Sequence, residues 1–277
     1  MKKFKVGLQL YSIRDKMAED MDAALKAVKE MGYTCVEFAG FYNYSAEEVK
    51  AMLDKYELTA ISVHQRIDLF LDDPKGTIEY FKTIGAKYAV IPWYPAEKLK
   101  GTEEWMTTFE NFMAYGKALK ENGIQLLYHN HDFEFNKFEG KYLLDWLYEE
   151  IPAECLQPQI DTCWVHYAGE DPAAYMRKYS GRLEVLHLKD FECEKLGAGP
   201  VYSLIGNSGE ETEKPSQEET GFRFRPVGYG IQNFNEILAA AEETGVEYVI
   251  VEQDSSYDTP TLETAKMSRD YLKTLGL

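Results

Sequence analysis

Basic residues are in short supply. The 277-residue chain carries 30 lysines and arginines against 47 aspartates and glutamates, a formal net charge of −17. A nucleic-acid surface needs a basic stripe to match phosphate, and none is visible, so no nucleic-acid partner is expected. The same acidity speaks against docking on anionic lipid and reads as the solvated surface of a cytoplasmic protein. Long apolar runs are missing too: no stretch approaches the roughly 18 residues that span a bilayer. The opening MKKFKVGLQLYS lacks the apolar core and cleavage site of a signal peptide and reads as a first strand. Cysteine is sparse. Cys35, Cys155, Cys163 and Cys193 form no C-x-x-C pair, and a chain of this size does not need disulfides, so they read as reduced, packing thiols. Phosphate-loop, nucleophile-elbow and H-E-x-x-H motifs are all lacking.

What is present is a rhythm. Short apolar runs begin at Lys5, Cys35, Leu58, Tyr88, Ile124, Leu156, Leu183 and Tyr248. Each is followed by a segment with helical periodicity, for example Met21, Ala24, Leu25 and Val28 ahead of Gly32, or Trp105, Phe109, Phe112, Met113 and Gly116. Ser45 with Glu48 forms a capping box. Eight such units in one chain imply a parallel sheet, and the length suits a single closed (β/α)8 TIM barrel over residues 1–277. An open doubly wound sheet is the alternative, but the first strand runs into YSIRD rather than a glycine-rich turn. One segment breaks the rhythm. Residues 191–227, with GNSGEETEKPSQEET, form a long polar insertion after the seventh strand, over the C-terminal face, where it would serve as a lid, an oligomer contact or a passive solvated loop.

In such a barrel all strands aim their C-terminal ends at one mouth. Those ends carry Glu37, His64, Trp93, the stretch YHNHDFEF, Asp161 with Trp164, His187 with Lys189 and Asp190, and Glu252. Charge buried at a strand end is costly unless paired or metal-bound. Carboxylates and imidazole without thiolate suit one divalent cation such as Mn²⁺, Mg²⁺, Co²⁺ or Zn²⁺.

The pieces VGLQLYSIRD, VEFAGFY, SVHQ, YHNHDFEF, DTCWVHYAGEDP, HLKD, RPVGYG and VEQD span nearly the whole chain. In them it resembles the sugar-phosphate isomerase/epimerase superfamily, the xylose isomerase-like TIM barrels that also include family 2 AP endonucleases. The resemblance implies one divalent metal held by Glu134, Asp161, His187 and Glu252. Many members place the first glutamate directly on the fifth strand; here that slot reads HNH, so His129 is the second choice for the first ligand. His131 is a ligand, a proton carrier or a substrate contact. The endonuclease members use three zincs and more histidines than the five found here.

A cation in such a site polarises the carbonyl of a hydroxy-ketone, so that the neighbouring carbon loses its proton through an enediolate. Glu134, Glu252, His131 and Lys189 are the expected proton carriers. Trp93 and Trp164 are expected as walls against a sugar face. Gln9, Glu37, His64, His129 and Gln253 are expected to bind hydroxyls, and Arg225 to hold an anionic group or form a surface ion pair. The expected function is a metal-dependent isomerase or epimerase acting on a sugar, sugar phosphate or keto-sugar. The alternatives are a metal-dependent lyase or dehydratase on a keto-sugar or keto-inositol, and a non-catalytic carbohydrate-binding protein. A homo-oligomer is implied by the family, whose members often form dimers or tetramers.

Overall fold

The computed structural model describes residues 4–198, 201–202 and 220–277. Eight parallel strands close into a barrel: β1 (Lys5–Gln9), β2 (Cys35–Phe38), β3 (Thr59–His64), β4 (Tyr88–Ile91), β5 (Gln125–His129), β6 (Gln157–Asp161), β7 (Val185–Leu188) and β8 (Tyr248–Val251). Consecutive strands pair, and β1 closes the ring on β8 through Lys5↔Tyr248 to Leu8↔Val251. Helices connect the strands on the outside. Asp20 caps Met21–Met31 by accepting from Ala23 N, Ser45 and Glu48 make the reciprocal capping box of Ala46–Lys55, and Gly32 ends its helix in the left-handed conformation.

Strand periodicity builds the mouth. Side chains alternate between the two faces of a strand, so residues two apart share a face. Cys35, Leu127, Val185 and Ile250 belong to one apolar layer inside the barrel. Two residues on from each stand Glu37, His129, His187 and Glu252. A polar layer therefore sits one pleat above an apolar floor, and register sets its neighbours: Gln9 opposite Glu37, Glu37 opposite Ser62, His129 opposite Gln159, Asp161 opposite His187.

The outer core is packed tightly enough to dictate small residues. A Cβ on Gly116, on the helix Trp105–Lys120, would lie 2.1 Å from the backbone oxygen of Cys155. The first strand ends at Gln9, because Gln9 Oε1 accepts from Tyr11 N and starts the 3-10 turn Leu10–Ile13. After β7 the chain forms a short antiparallel hairpin of Asp190–Glu192 with Arg223–Arg225. The expected insertion, 191–227, takes in most of this hairpin, and its residues 199–200 and 203–219 fall outside the described residues. Asp190 accepts from Gly228 N at 2.9 Å and Gly230 N at 2.8 Å, fixing the RPVGYG turn beside the hairpin. No helix of the described residues is long and apolar enough to cross a membrane.

Candidate functional site

A cavity of about 440 Å³ opens at the C-terminal mouth. Trp93, Tyr11 and Tyr202 give it aromatic walls; His64, His129, His131, Glu252 and Asp254 give it polar ones.

Beneath it, His129, Asp161, His187 and Glu252 each offer a ligand atom, all within 4.8 Å of one another and all buried. His129 Nε2 stands 3.6 Å from Asp161 Oδ2 and 3.9 Å from Glu252 Oε2. His187 Nδ1 is 3.0 Å from Glu252 Oε2, while its Nε2 is 2.7 Å from Glu37 Oε1. Burial works against a charged His187, yet Glu37 and Glu252 outweigh it and push the imidazole up to about 10. Burial, helped by the neighbouring His187 and opposed by Glu252, takes His129 well below the usual histidine range.

Lys189 lies alongside, fully enclosed. Its ammonium is 2.9 Å from Glu252 Oε2, 3.0 Å from Asp254 Oδ2 and 3.2 Å from Asp161 Oδ2. Burial opposes its charge, but the three carboxylates hold it well above the ordinary lysine range. Glu252 is likewise charged: burial would raise it, and Lys189 and His187 hold it well below the carboxylate range.

The donor set fits a divalent cation. Asp161 Oδ2 receives no hydrogen bond, its nearest cation being the Lys189 ammonium at 3.2 Å. Each histidine of the four anchors one nitrogen on an outer partner, Gln159 or Glu37, and turns the other toward the group. An imidazole anchored this way, with its second nitrogen aimed at carboxylates, is the usual arrangement around a bound metal. Two nitrogens and two carboxylate oxygens suit Zn²⁺, Mn²⁺ or Co²⁺.

The family model for the xylose isomerase-like TIM barrel matches residues 25–275. The chain belongs to this family. Among its relatives, inosose dehydratase of Mesomycoplasma hyopneumoniae (strain 7448) is 26% identical, over 99% of this chain and 97% of its own. A sugar phosphate isomerase/epimerase from Parabacteroides distasonis superposes with a TM-score of 0.75 at 24% identity, covering 98% of each chain. The IOLI protein, solved with a bound zinc atom, superposes with a TM-score of 0.71 at 15% identity, covering 98% of this chain and 97% of its own. At those identities the two structures share the xylose isomerase-like fold and nothing finer follows from the likeness.

Within this family framework the residues expected from sequence divide. His64, Trp93, His129, His131 and Glu252 line the cavity. Glu134, expected as the first ligand, is not one of the four clustered groups, and His129 stands there instead. The Phe133–Phe135 turn curls the glutamate back on its own loop, where Oε1 accepts from Tyr128 OH at 2.7 Å and Oε2 from His131 N at 2.8 Å. Trp164 is no cavity wall: it is fully buried against Phe222 and Phe224. Arg225 pairs with Glu192 on the hairpin. Gln253 Nε2 donates to the Ser255 carbonyl while its backbone N–H donates to Ser12 Oγ, and Gln9 Nε2 donates to Glu37.

Glu37 cannot meet a substrate hydroxyl. It is fully buried, and Gln9, Ser62, Gln159 and His187 all donate to its two oxygens. Sequence reasoning missed Gln159, Asp254, Tyr11 and Tyr202. Two of these carried a signal: Gln159 stands two residues before Asp161 and Asp254 two after Glu252, each on the face of a known candidate. Tyr202, in the insertion, carried none.

Proposed function

We propose that the protein is a divalent-metal-dependent enzyme that removes a proton from the carbon beside the carbonyl of a keto-inositol or keto-sugar, with loss of a β-hydroxyl as water. The observation that carries this reading is the buried group of His129, Asp161, His187 and Glu252 at the floor of an aromatic-walled, polar cavity. Full-length relatives named inosose dehydratase support the dehydration outcome over isomerisation or epimerisation.

When bound, the cation supplies Lewis-acid polarisation of a carbonyl. The chain supplies the rest. His129, Asp161, His187 and Glu252 hold the ion. Lys189 keeps Glu252 ionised and oriented. His131 reaches the cavity with its Nδ1 unpaired and its ring stacked 3.8 Å from Tyr202, placed to accept a proton. Asp254, which also lines the cavity beside Lys189 and which burial pushes up to about 6, is placed to hand a proton to a departing hydroxyl. Trp93 and Tyr202 exclude water from one face of a ring.

The test is incubation with a panel of keto-inositols and ketoses in D₂O with Mn²⁺, Co²⁺ or Zn²⁺. An unsaturated or diketo product lacking one water supports dehydration. Deuterium in a stereoisomer or positional isomer of the substrate makes the protein an isomerase or epimerase. Sugar binding without exchange in any cation leaves the carbohydrate-binding alternative.

A further inference from the structure

Glu37 and Gln159 lie outside the cavity and touch neither substrate space nor the clustered oxygens, yet together they address three histidines. The order of the hydrogen bonds follows from one fixed anion. Glu37 is fully buried, with Gln9 Nε2 donating to Oε1 at 2.7 Å and Ser62 Oγ to Oε2 at 2.5 Å, and a carboxylate so surrounded can only accept. Gln159 meets Glu37 Oε2 at 2.6 Å, so it must present its amide NH₂ there. Its carbonyl Oε1 is thereby turned the other way, 3.0 Å from His64 Nε2 and 3.1 Å from His129 Nδ1. Both of those nitrogens face an acceptor and carry a proton. His64 Nε2 is also 2.8 Å from Glu37 Oε1, a second acceptor, and His187 Nε2 is 2.7 Å from the same oxygen.

We propose that Glu37 and Gln159 form a positioning pair that sets the tautomers of His64 and His129 and anchors His187 through Nε2, and so fixes which nitrogen each ring offers. His129 then offers Nε2 and His187 Nδ1 to a cation, which rests on the metal-dependent reading above. His64, a cavity-lining residue, offers Nδ1 as the acceptor for a substrate hydroxyl. Two histidines thus meet one ion through different nitrogens, and a third, anchored by the same pair, reads the substrate. The ligand His64 selects is a polyol whose ring hydroxyl donates toward β3, not one that presents only acceptors there.

Ring-¹⁵N-labelled histidine in the metal-free wild-type chain tests the pair directly. His64 is expected protonated at Nε2 and His129 at Nδ1; the opposite tautomer at either ring overturns the proposal. Glu37→Gln puts an amide NH₂ against Gln159, forces that amide to turn over, and presents a donor to His64 and His129. Both tautomers are expected to invert, and Zn²⁺ affinity, measured by competition with a chromophoric chelator, to fall about 10–100-fold. Unchanged tautomers with unchanged affinity overturn it. If Glu37→Gln does not fold, Gln159→Met removes the relay with little change of shape. It is expected to release the His64 and His129 tautomers while His187 stays on Glu37, and retention of both wild-type tautomers again counts against the pair. His64→Gln is expected to leave Zn²⁺ affinity unchanged and raise KM for the substrate more than it lowers kcat; a fall in Zn²⁺ affinity would make His64 a ligand instead. A chain that binds no Zn²⁺ but shows the expected His64 and His129 tautomers defeats the metal-dependent reading and leaves the positioning pair standing.

Discussion

Enclosing a carboxyl group beneath a loop gives Glu134 a titration of its own. Burial pushes it up to about 8, against the pull of Tyr128 OH and His131 N. An unfolded glutamate titrates near 4.3. The folded state therefore holds the proton more tightly. The sign follows: this group's contribution is fully present below the unfolded value and is lost as pH rises through about 8. Melting of the chelated protein should fall more steeply between pH 5 and 9 in wild type than in Glu134→Gln, and parallel curves would show that the group does not titrate in this window. The same variant separates Glu134 from the cation. Glu134→Gln should bind Zn²⁺ as wild type does, whereas His129→Ala should lose more than about tenfold in affinity; the reverse ranking in equilibrium dialysis would restore Glu134 as the ligand. Residue types at the mouth were legible in sequence, but their pointing was not. HNHDFE offers five polar side chains in six residues, and only the curl of the Phe133–Phe135 turn decides that His129 joins the four-residue cluster and the glutamate faces its own loop.

Elements were read more fully than residues, because periodicity and caps are local. Ser45 and Glu48 announced the helix Ala46–Lys55, and both hydrogen bonds of the box are formed. Ser45→Ala should cost about 1 kcal/mol in denaturant unfolding; no change would mean that water replaces the cap without loss. Gly116 was legible as part of a helix face but not as a close approach, since the chain it meets is nearly 40 residues away in sequence. Gly116→Ala, despite raising helix propensity, should destabilise by about 1–3 kcal/mol because the new methyl meets the Cys155 carbonyl. A stabilised variant would show that the helix can shift outward. The helix Ile67–Asp72 went unseen in the sequence, being too short to establish a period beside the strand that precedes it.

At the scale of the whole molecule, a closed barrel was legible because eight units of one kind leave few other solutions. The insertion after β7 was legible only as a break in that pattern. It contributes Tyr202 to the cavity wall, where Asp132 Oδ2 accepts from the backbone N–H of both Val201 and Tyr202. The four clustered groups come from β5, β6, β7 and the residue after β8, so the proposed cation site exists only in the folded barrel. Chelation should therefore lower the melting temperature by several degrees, since an ion at 100 times its Kd adds about 2.7 kcal/mol. A melting curve indifferent to chelator would place any bound ion outside the four-residue group.

The ring is sewn shut where Lys5–Gln9 meets Tyr248–Val251. That seam joins the first and last strands of the barrel, a contact of very long sequence separation that is costly to bring together. Every shorter nascent chain exposes two raw sheet edges and, lacking Glu252, holds an incomplete set of chelating groups. On the proposed metal-dependent reading, capture of the ion therefore waits for the ring to close.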